Sequence, residues 1–521
     1  MRQRHGSSNN IRLIIVVIAL AVVVGGAYYY FIRMPQYQEE RTRLLTLNTE
    51  AEPSDLDPAL AIETDSYRII ANVFDGLVKY KKGSTEVESC LATSWEEVDP
   101  STFIFHLRDD VKFHDGTDFN AESVKYSFDR VFEKDGPPSY LFFVINSTEV
   151  IDSYTIQITL NWDFSGFPSI LANPVASIVS PTAVKELGDD FNEQPVGTGP
   201  FKFESWNFGE ELVLSSYEDY FDGEPSLEKI VFKTIYESTG RKEAILNGEI
   251  DVLVSGRILS TDLPELEAHP DLRVHKGAGL TIEYLGFNGL KAPLNDSKIR
   301  WAIAYSLDYG EIIDDALGGF GERIGGAVPK GILGNKDIPL IDRDLEKAEQ
   351  LLEEAGYPDG FDITLTYNIE SSERRQVAEL IKNNLADVGI NVNIKGLDWD
   401  ASINEYLDMG HELMLNTWFP DYFDPDSYLY PQFHSWSSAP YGANIFGLNN
   451  TDIDILLEDG ILTTVSEERE QIYGQAQEII NTEIPCLFLY VPIEFEVTTY
   501  EVQNWEFNPT QMIEFSDIYK E

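Results

Sequence analysis

Hydrophobic positions recur along the chain with two different periods, and together they predict a mixed α/β fold. An apolar strand is predicted at Leu44–Leu47, and a helix at 65–74 follows a loop rich in Pro and Asp. Alternating apolar and polar residues predict strands up to Phe113, and a hairpin at 150–161. Asn120 stands where a helix N-cap is expected, directly before residues spaced along one helical face.

The second half of the chain alternates helices with strands. A Gly/Pro turn in "PVGTGPFKF" precedes two alternating strands, and from residue 282 the pattern becomes mixed. Helices are predicted at 298–317, at 342–356 with Gly356 as the stop, after 373, and around 466–482; strands are predicted at "DITLTYN", "INVNIKGLD" and "CLFLYVP". No linker rich in Pro, Gly and Ser separates independent domains, so we expect two lobes that share the chain back and forth.

The N-terminus places the protein at a membrane. Residues 13–32 form a run of twenty residues without a charge, about the length of a membrane-spanning helix. Three arginines precede the run, so residues 1–12 are predicted to stay in the cytoplasm and the rest to lie outside, after a tether at 33–43. The alternative is a cleaved signal peptide, for which "VGGA" at 24–27 is a weak cleavage site, and secretion.

Composition narrows the class of protein. The chain is 43% hydrophobic and 12% aromatic, enough for more than one core in 521 residues. The net charge of −51 repels phosphate backbones, which disfavours nucleic acid as a partner, and the dispersed acids indicate a solvated surface. Cys90 and Cys486 lie in apolar contexts without a second Cys or His at ligand spacing, which predicts buried free thiols.

The sequence contains no catalytic motif that would make it an enzyme. It lacks a phosphate-binding G-x-x-x-x-G-K-[ST] loop, a G-x-S-x-G elbow and an H-E-x-x-H pair, since His411-Glu412 has no second His. His106 and His114 are expected to be structural. We therefore predict a protein that is not an enzyme and uses no metal and no cofactor.

One segment combines aromatic rings with carboxylates. "LNTWFPDYFDPDSYLYPQF", residues 415–433, alternates Trp, Phe and Tyr with Asp and Pro. A buried strand would exclude the acids and a disordered tail would lack the rings. A concave site for a polar, partly cationic ligand can use both.

Five ordered blocks resemble one family, the extracytoplasmic solute-binding proteins that deliver dipeptides and oligopeptides to ABC importers. The most specific is "LATSWEEVDPSTFIFHLRDDVKFHDGTDFNAESVKYSFDRV" at 91–131. The others are "PVGTGPFKF" with "YEDYFDGEPSLEKIVFK", "YLGFNGLKAPLNDSKIRWAIAYSLDYGEII", "AEQLLEEAGYP" and "TWFPDYFDPDSYL". The resemblance runs from about residue 44 to the end, nearly the whole chain outside the anchor.

The resemblance implies a bilobal, type II periplasmic-binding-protein-like α/β fold with mixed sheets, an inserted domain and a cleft between the lobes. Lobe I is expected to be discontinuous (44–76, 186–280 and 488–521), the inserted domain to span 77–185 and the opposing lobe 281–487. The function implied is the substrate-binding component of an ABC transporter, a monomer. It would capture peptides by lobe closure and deliver them to permease subunits that work with cytoplasmic ATPase subunits.

The resemblance also implies a ligand site. In peptide-binding members an aspartate in a W-x-x-D context holds the ligand's α-ammonium group, and Asp421 occupies that place. Thr417, Trp418 and Phe419 would present backbone to an extended peptide. Pro420 departs from the small residues often found there and lacks a backbone donor.

Further cleft residues are implied with less specific motifs. Glu52 is expected on the other side of the entrance, and Tyr140, Tyr284 and Asn288 fall in blocks that commonly edge the cleft. Each has a structural alternative: the tyrosines as core aromatics and Asn288 as a partner for buried backbone. Trp418 has the same alternative as a core residue, and Asp424, before Pro425, fits a turn.

Two other functions stay open at this point. An oligosaccharide receptor of the same family would stack sugar faces on the rings around Asp421. A membrane-anchored hydrolase or ligand sensor would need a nucleophile and base, or a cytoplasmic signalling domain, for which a tail of a dozen residues leaves no room.

Overall fold

The fold is mixed α/β, as the hydrophobic periods predict. The computed structural model describes residues 42–254 and 262–521. Within these ranges the strands are β1 Leu44–Thr49, β2 Val78–Tyr80, β3 Val87–Ser89, β4 Ala92–Asp99, β5 Thr102–Leu107, β6 Ile145–Asp152, β7 Thr155–Leu160, β8 Phe201–Asn207, β9 Glu211–Ser216, β10 Lys229–Thr234, β11 Val252–Leu253, β12 Leu272–Ala278, β13 Ile282–Phe287, β14 Gly321–Glu322, β15 Asp362–Asn368, β16 Asn391–Leu397, β17 Leu413–Trp418, β18 Cys486–Thr499, β19 Val502–Gln503 and β20 Tyr519–Lys520.

Helices cover the faces of the sheets and connect their strands. They are α1 Thr64–Val73, α2 Ala121–Lys134, α3 Phe167–Leu171, α4 Pro181–Leu187, α5 Ser238–Leu246, α6 Leu263–Ala268, α7 Ser297–Ser306, α8 Tyr309–Glu311, α9 Leu345–Glu354, α10 Ser372–Ala386, α11 Trp399–Leu407, α12 Pro425–Phe433, α13 Thr451–Leu462 and α14 Ser466–Glu483. Short 3-10 turns lie at Pro137–Val144, Pro174–Ala176, Gly188–Asn192 and Ser435–Ser437, and a π-turn at Ile312–Ala316.

One long strand joins the two halves of a large sheet. The sheet has the order β16-β15-β17-β13-β18-β11-β1-β10-β9-β8, with β12 and β14 also paired to β18. Residues 486–490 of β18 pair with β13, whereas residues 491–499 pair with β14, β12 and β11. The β12–β13 segment crosses beside it. Two crossing segments between two lobes form the type of connection at which hinge closure occurs.

A second sheet has its own core. Strands β4, β5, β7 and β6 form a four-stranded antiparallel sheet whose inward residues, such as Phe105 and Ile156, are fully buried. Helix α2 packs on this core and begins at Asn120 as predicted. The Asn120 side chain accepts hydrogen bonds from the N–H groups of Glu122 (3.0 Å) and Ser123 (3.2 Å), which satisfies donors that a helix start leaves unpaired.

Several sequence predictions need correction. The predicted helix at 298–317 breaks at Leu307, whose backbone is extended, and Asp308 then caps the next turn by accepting from Glu311 N–H. The strand predicted at "CLFLYVP" continues past Pro492 to Thr499. Proline lacks a donor for the ladder and suggested an end, but here it lies where β18 changes partners from β13 to β12.

Other expectations are confirmed or stay predictions. Cys90 and Cys486 are free and buried, as predicted. None of the helices in 42–254 and 262–521 combines the length and apolarity needed to cross a bilayer, and the anchor predicted at 13–32 lies outside the described residues. The boundaries predicted for lobe I, the inserted domain and the opposing lobe stay predictions.

Candidate functional site

The ring-rich segment leaves the large sheet at an open strand edge. On one side β17 pairs with β13 along its whole length, from Leu413 to Trp418. On the other side its pairing with β15 covers only Leu413 and Met414. The last four residues of β17 therefore have no strand from β15 beside them, which leaves backbone groups available to an extended ligand.

The loop after β17 is fixed by hydrogen bonds to helix α12. The Trp418 indole N–H donates to the Ser427 carbonyl (2.8 Å), and the Asp421 N–H donates to the Ser427 hydroxyl (3.1 Å). Asp424 accepts from the Asp426 N–H at the helix start and forms a bidentate ion pair with Arg469 at 2.8 and 3.0 Å. Asp424 is thus a cap and core ion pair, in line with its expected place at a turn.

Asp421 faces two tyrosines from distant parts of the chain. The side chain is open to solvent, yet the protein around it raises the carboxyl pKa by desolvation, and the nearby Tyr140 hydroxyl acts in the opposite direction. Burial and the Asp421 charge raise the pKa of Tyr67 to about 12. Both tyrosines therefore remain protonated hydroxyls that can donate to an acceptor.

The backbone of the same loop is tied to the other side of the cleft. The Asn173 amide donates to the Asp421 carbonyl at 2.9 Å. The Phe423 N–H donates to the Tyr80 hydroxyl at 3.2 Å, and that hydroxyl donates to the Ser169 carbonyl at 2.8 Å. Asp421 consequently lies where the loop after β17, helix α1 and the segment at 169–173 meet.

No basic side chain of the described residues forms an ion pair with Asp421 within 4.0 Å. A solvent-accessible carboxylate whose pKa the surrounding protein raises, and which has no cation beside it, gains more from an ammonium partner than a fully hydrated one does. The arrangement is therefore suited to a ligand that supplies a positive charge together with hydrogen-bond acceptors.

The other predicted site residues divide into two groups. Thr417, Trp418 and Phe419 lead directly to Asp421; the Phe419 ring is 47% exposed and lies edge-on to Phe423. Tyr140, 48% exposed, joins them from the 3-10 turn. Phe419 and Tyr140 thus expose ring surface near the carboxylate, whereas the polar side-chain groups of Thr417 and Trp418 donate to the carbonyls of Ile282 (3.3 Å) and Ser427 (2.8 Å).

Glu52, Tyr284 and Asn288 have partners elsewhere in the fold and show no contact with Asp421 among the described residues. The Glu52 carboxylate accepts from Trp206 on β8, from the Gly209 N–H in the turn after it, and from Thr234 on β10. Tyr284 is 1% exposed and packs against a core ring. Asn288, also 1% exposed, donates to the carbonyls of residues 409 and 411. The structural alternatives named for the last two residues are the roles that they have here.

Tyr67 and Asn173 lie next to Asp421 and are candidate site residues that the sequence did not suggest. Tyr67 lies in the predicted helix at 65–74. The hydrophobic period of that helix predicts which face is apolar, but it does not single out Tyr67. Asn173 caps the 3-10 turn at 174–176 and contacts Asp421 across 248 positions of sequence. Neither residue has a local motif that distinguishes it from a packing residue.

Comparison with known proteins agrees with this fold. Residues 86–440 match the family of bacterial extracellular solute-binding proteins, family 5. The chain is 31% identical to heme-binding protein A of Haemophilus influenzae, over 86% of each chain. It is 30% identical to a probable D,D-dipeptide-binding periplasmic protein of Escherichia coli, over 89% of this chain and 92% of that one.

Solved structures show the same architecture. A periplasmic binding protein of Helicobacter pylori in complex with the peptide STSA is 31% identical, with a TM-score of 0.75 over 93% of this chain and 99% of that one. HbpA2 of Haemophilus parasuis is 26% identical, with a TM-score of 0.86 over 92% and 99%. The fold is thus the bilobal type II fold of a solute-binding receptor. The chain belongs to family 5 of the bacterial extracellular solute-binding proteins, which confirms the predicted resemblance.

Proposed function

We propose that the protein is the substrate-binding component of an ABC importer and captures peptides outside the membrane. The observation that favours peptides is Asp421, a solvent-accessible carboxylate without a cation beside it among the described residues, at the end of a strand edge open for pairing. A free peptide offers an ammonium group and an extended backbone, the two features that this combination recognises.

Binding would couple to closure of the lobes. A peptide with its ammonium at Asp421 also meets Tyr67 and Tyr140 from across the cleft. A ligand that contacts both sides binds the closed state better than the open one and shifts the equilibrium toward closure. The crossing strand β18 and the β12–β13 segment would bend, and the closed form would dock on the permease.

The proposal extends to location and partners. The family is one of extracellular solute-binding proteins, and we propose that this chain is such a receptor and not an enzyme. Residues 13–32 would anchor the protein beside permease subunits whose ATPase partners lie in the cytoplasm. Secretion after signal cleavage is the alternative, and we expect a monomer.

An oligosaccharide receptor is the second candidate, because Phe419 and Tyr140 leave about half of each ring exposed beside Asp421. Sugar faces stack on such rings. The two candidates differ in whether a cationic group on the ligand is needed.

Native mass spectrometry of the full-length protein separates the candidates. It would be offered a mixed pool of short peptides and oligosaccharides, beside Asp421→Asn and a control, Asp359→Asn. Asp359 is exposed and precedes β15, which runs parallel to β17, so it lies at the opposite end of the sheet.

Peptide adducts on the wild type and the control that fade in Asp421→Asn would support the proposal. Sugar adducts alone would replace peptides with oligosaccharides as the ligand. Peptide adducts that are equally strong in all three proteins would keep the ligand class and reject Asp421 as its anchor.

A further inference from the structure

A cavity of about 290 Å³ lies beside the Asp421 loop. Its walls come from helix α1 and the segment after it, from β2, from residues 171–177 and from the C-terminal segment 505–518. At roughly 30 Å³ per water, it has room for about ten waters or for an aliphatic chain with a terminal polar group.

The cavity adjoins the proposed peptide site through two side chains. Asn173 lines the cavity and donates to the Asp421 carbonyl at 2.9 Å. Tyr80 lines it and accepts from the Phe423 N–H at 3.2 Å. On α1, Ala71 lines the cavity one helical turn beyond Tyr67, which faces Asp421.

Negative charge predominates on the cavity walls. Two lysines lining it are already paired, Lys79 with Glu514 at 2.7 Å and Lys82 with Asp517 at 2.8 Å. Four further carboxylates line it with no basic partner within 4.0 Å among the described residues: Asp75, Glu88, Asp222 and Glu506. The walls therefore carry acceptors and excess negative charge, which favour a cation.

The inner end of the cavity adds buried polar groups. Asp75, 6% exposed, accepts from Thr198 (2.8 Å) and Tyr220 (3.2 Å), and burial raises its pKa to about 6. Ser177 is 7% exposed and lines the cavity. Among the described residues its backbone N–H donates to the Pro174 carbonyl at 3.1 Å, and no hydrogen bond involves its hydroxyl. A hydroxyl that lines a cavity without a protein partner can take one from the cavity contents.

We propose that this cavity binds a primary ammonium or guanidinium group. Such groups have only donors and match a wall of carboxylates with one free hydroxyl. The group could belong to the first side chain of a peptide held at Asp421, and this source rests on the proposed function. It could equally belong to a free amine, which does not depend on that function.

Calorimetry on the full-length protein distinguishes these sources with three probes: 1,5-diaminopentane, Lys-Ala-Ala and norleucine-Ala-Ala. The two peptides differ in the terminal ammonium of the first side chain. The variants are Asp75→Asn and the less buried Glu88→Gln, which keeps the test valid if the first does not fold. Glu249→Gln, an exposed lobe I carboxylate outside the cavity, is the matched control.

We expect the lysine peptide to bind about tenfold more tightly than the norleucine peptide in the wild type and the control. This ratio should approach one in Asp75→Asn and fall severalfold in Glu88→Gln. If the diamine alone binds, with the same dependence on the variants, the cavity site stands and the proposed peptide function fails.

A failure of the cavity site alone would give a different pattern of affinities. Equal affinity for the two peptides, together with no binding of the diamine, would overturn the cavity site and leave the peptide function intact. A loss in Glu249→Gln as large as in Glu88→Gln would also overturn it, because the preference would then reflect the overall charge.

Discussion

The crossing strand β18 contains a buried glutamate whose ionisation should destabilise the fold. Glu496 is 2% exposed, and the Trp505 indole N–H donates to its carboxylate at 2.8 Å. Desolvation raises its pKa from 4.5 to about 7, although this indole contact acts in the opposite direction. The folded protein therefore holds a proton on Glu496 over a pH range in which the unfolded chain releases it.

The size of this effect follows from the linkage between proton binding by Glu496 and folding. Because the folded pKa lies above the unfolded one, the stabilisation is fully present below pH 4.5 and is lost as the pH rises through 7. A difference of about 2.5 units corresponds to about 3.4 kcal/mol in full. Between pH 5 and pH 8 the part that is lost is about 2.5 kcal/mol.

Glu496→Gln removes this titration and keeps an acceptor for the Trp505 indole. The unfolding free energy of the variant minus that of the wild type should increase by about 2.5 kcal/mol from pH 5 to pH 8. Urea denaturation of both proteins at several pH values measures the difference, in which titrating groups that do not interact with Glu496 cancel; Glu494, which does, titrates in the same range. Glu249→Gln, exposed, is the control. A stability difference between Glu496→Gln and the wild type that is independent of pH would refute the reasoning.

Two further predictions concern the framework of the site. Arg469→Leu should cost about 3–5 kcal/mol of stability, because it leaves the buried Asp424 carboxylate without its bidentate partner. The double variant Arg469→Leu/Asp424→Leu should recover much of this loss when unfolding by denaturant is measured. A double variant as unstable as Arg469→Leu alone would contradict the prediction. Asn120→Ala should cost about 1 kcal/mol through loss of the α2 cap, whereas Asn120→Asp should stay close to wild type; equal losses in both variants would exclude capping as the cause.

The sequence predicts the local part of this structure well. Asn120 and the residues after it predict the start of helix α2, because a helix cap depends on neighbouring residues. The Trp418–Asp421 motif is equally local, and the site that it indicates stays a prediction. Partners from a distance could not be predicted. Tyr67 and Asn173 reach Asp421 only after the sheets have formed, and the cavity walls come from four separate stretches of the chain.

Side-chain direction limits such predictions in the same way. Tyr284 and Asn288 fall in a family block that was expected at the cleft, but their positions on and after β13 direct both into the core. Alternation along a strand shows that two faces exist; it does not show which face is turned to the ligand. The Glu52 carboxylate accepts hydrogen bonds from Trp206 and Thr234, and no residue near Glu52 in the sequence predicts these contacts.

The contact between Asp421 and a ligand ammonium is the central claim, and a double-mutant cycle tests it most directly. Affinities of tri-alanine and N-acetyl-tri-alanine would be measured for the wild type and Asp421→Asn. A charge-assisted contact of roughly 1.5–3 kcal/mol predicts that acetylation weakens binding about 10- to 150-fold in the wild type and hardly at all in the variant. An equal loss on acetylation in both proteins would show that the ammonium binds elsewhere and would contradict the account.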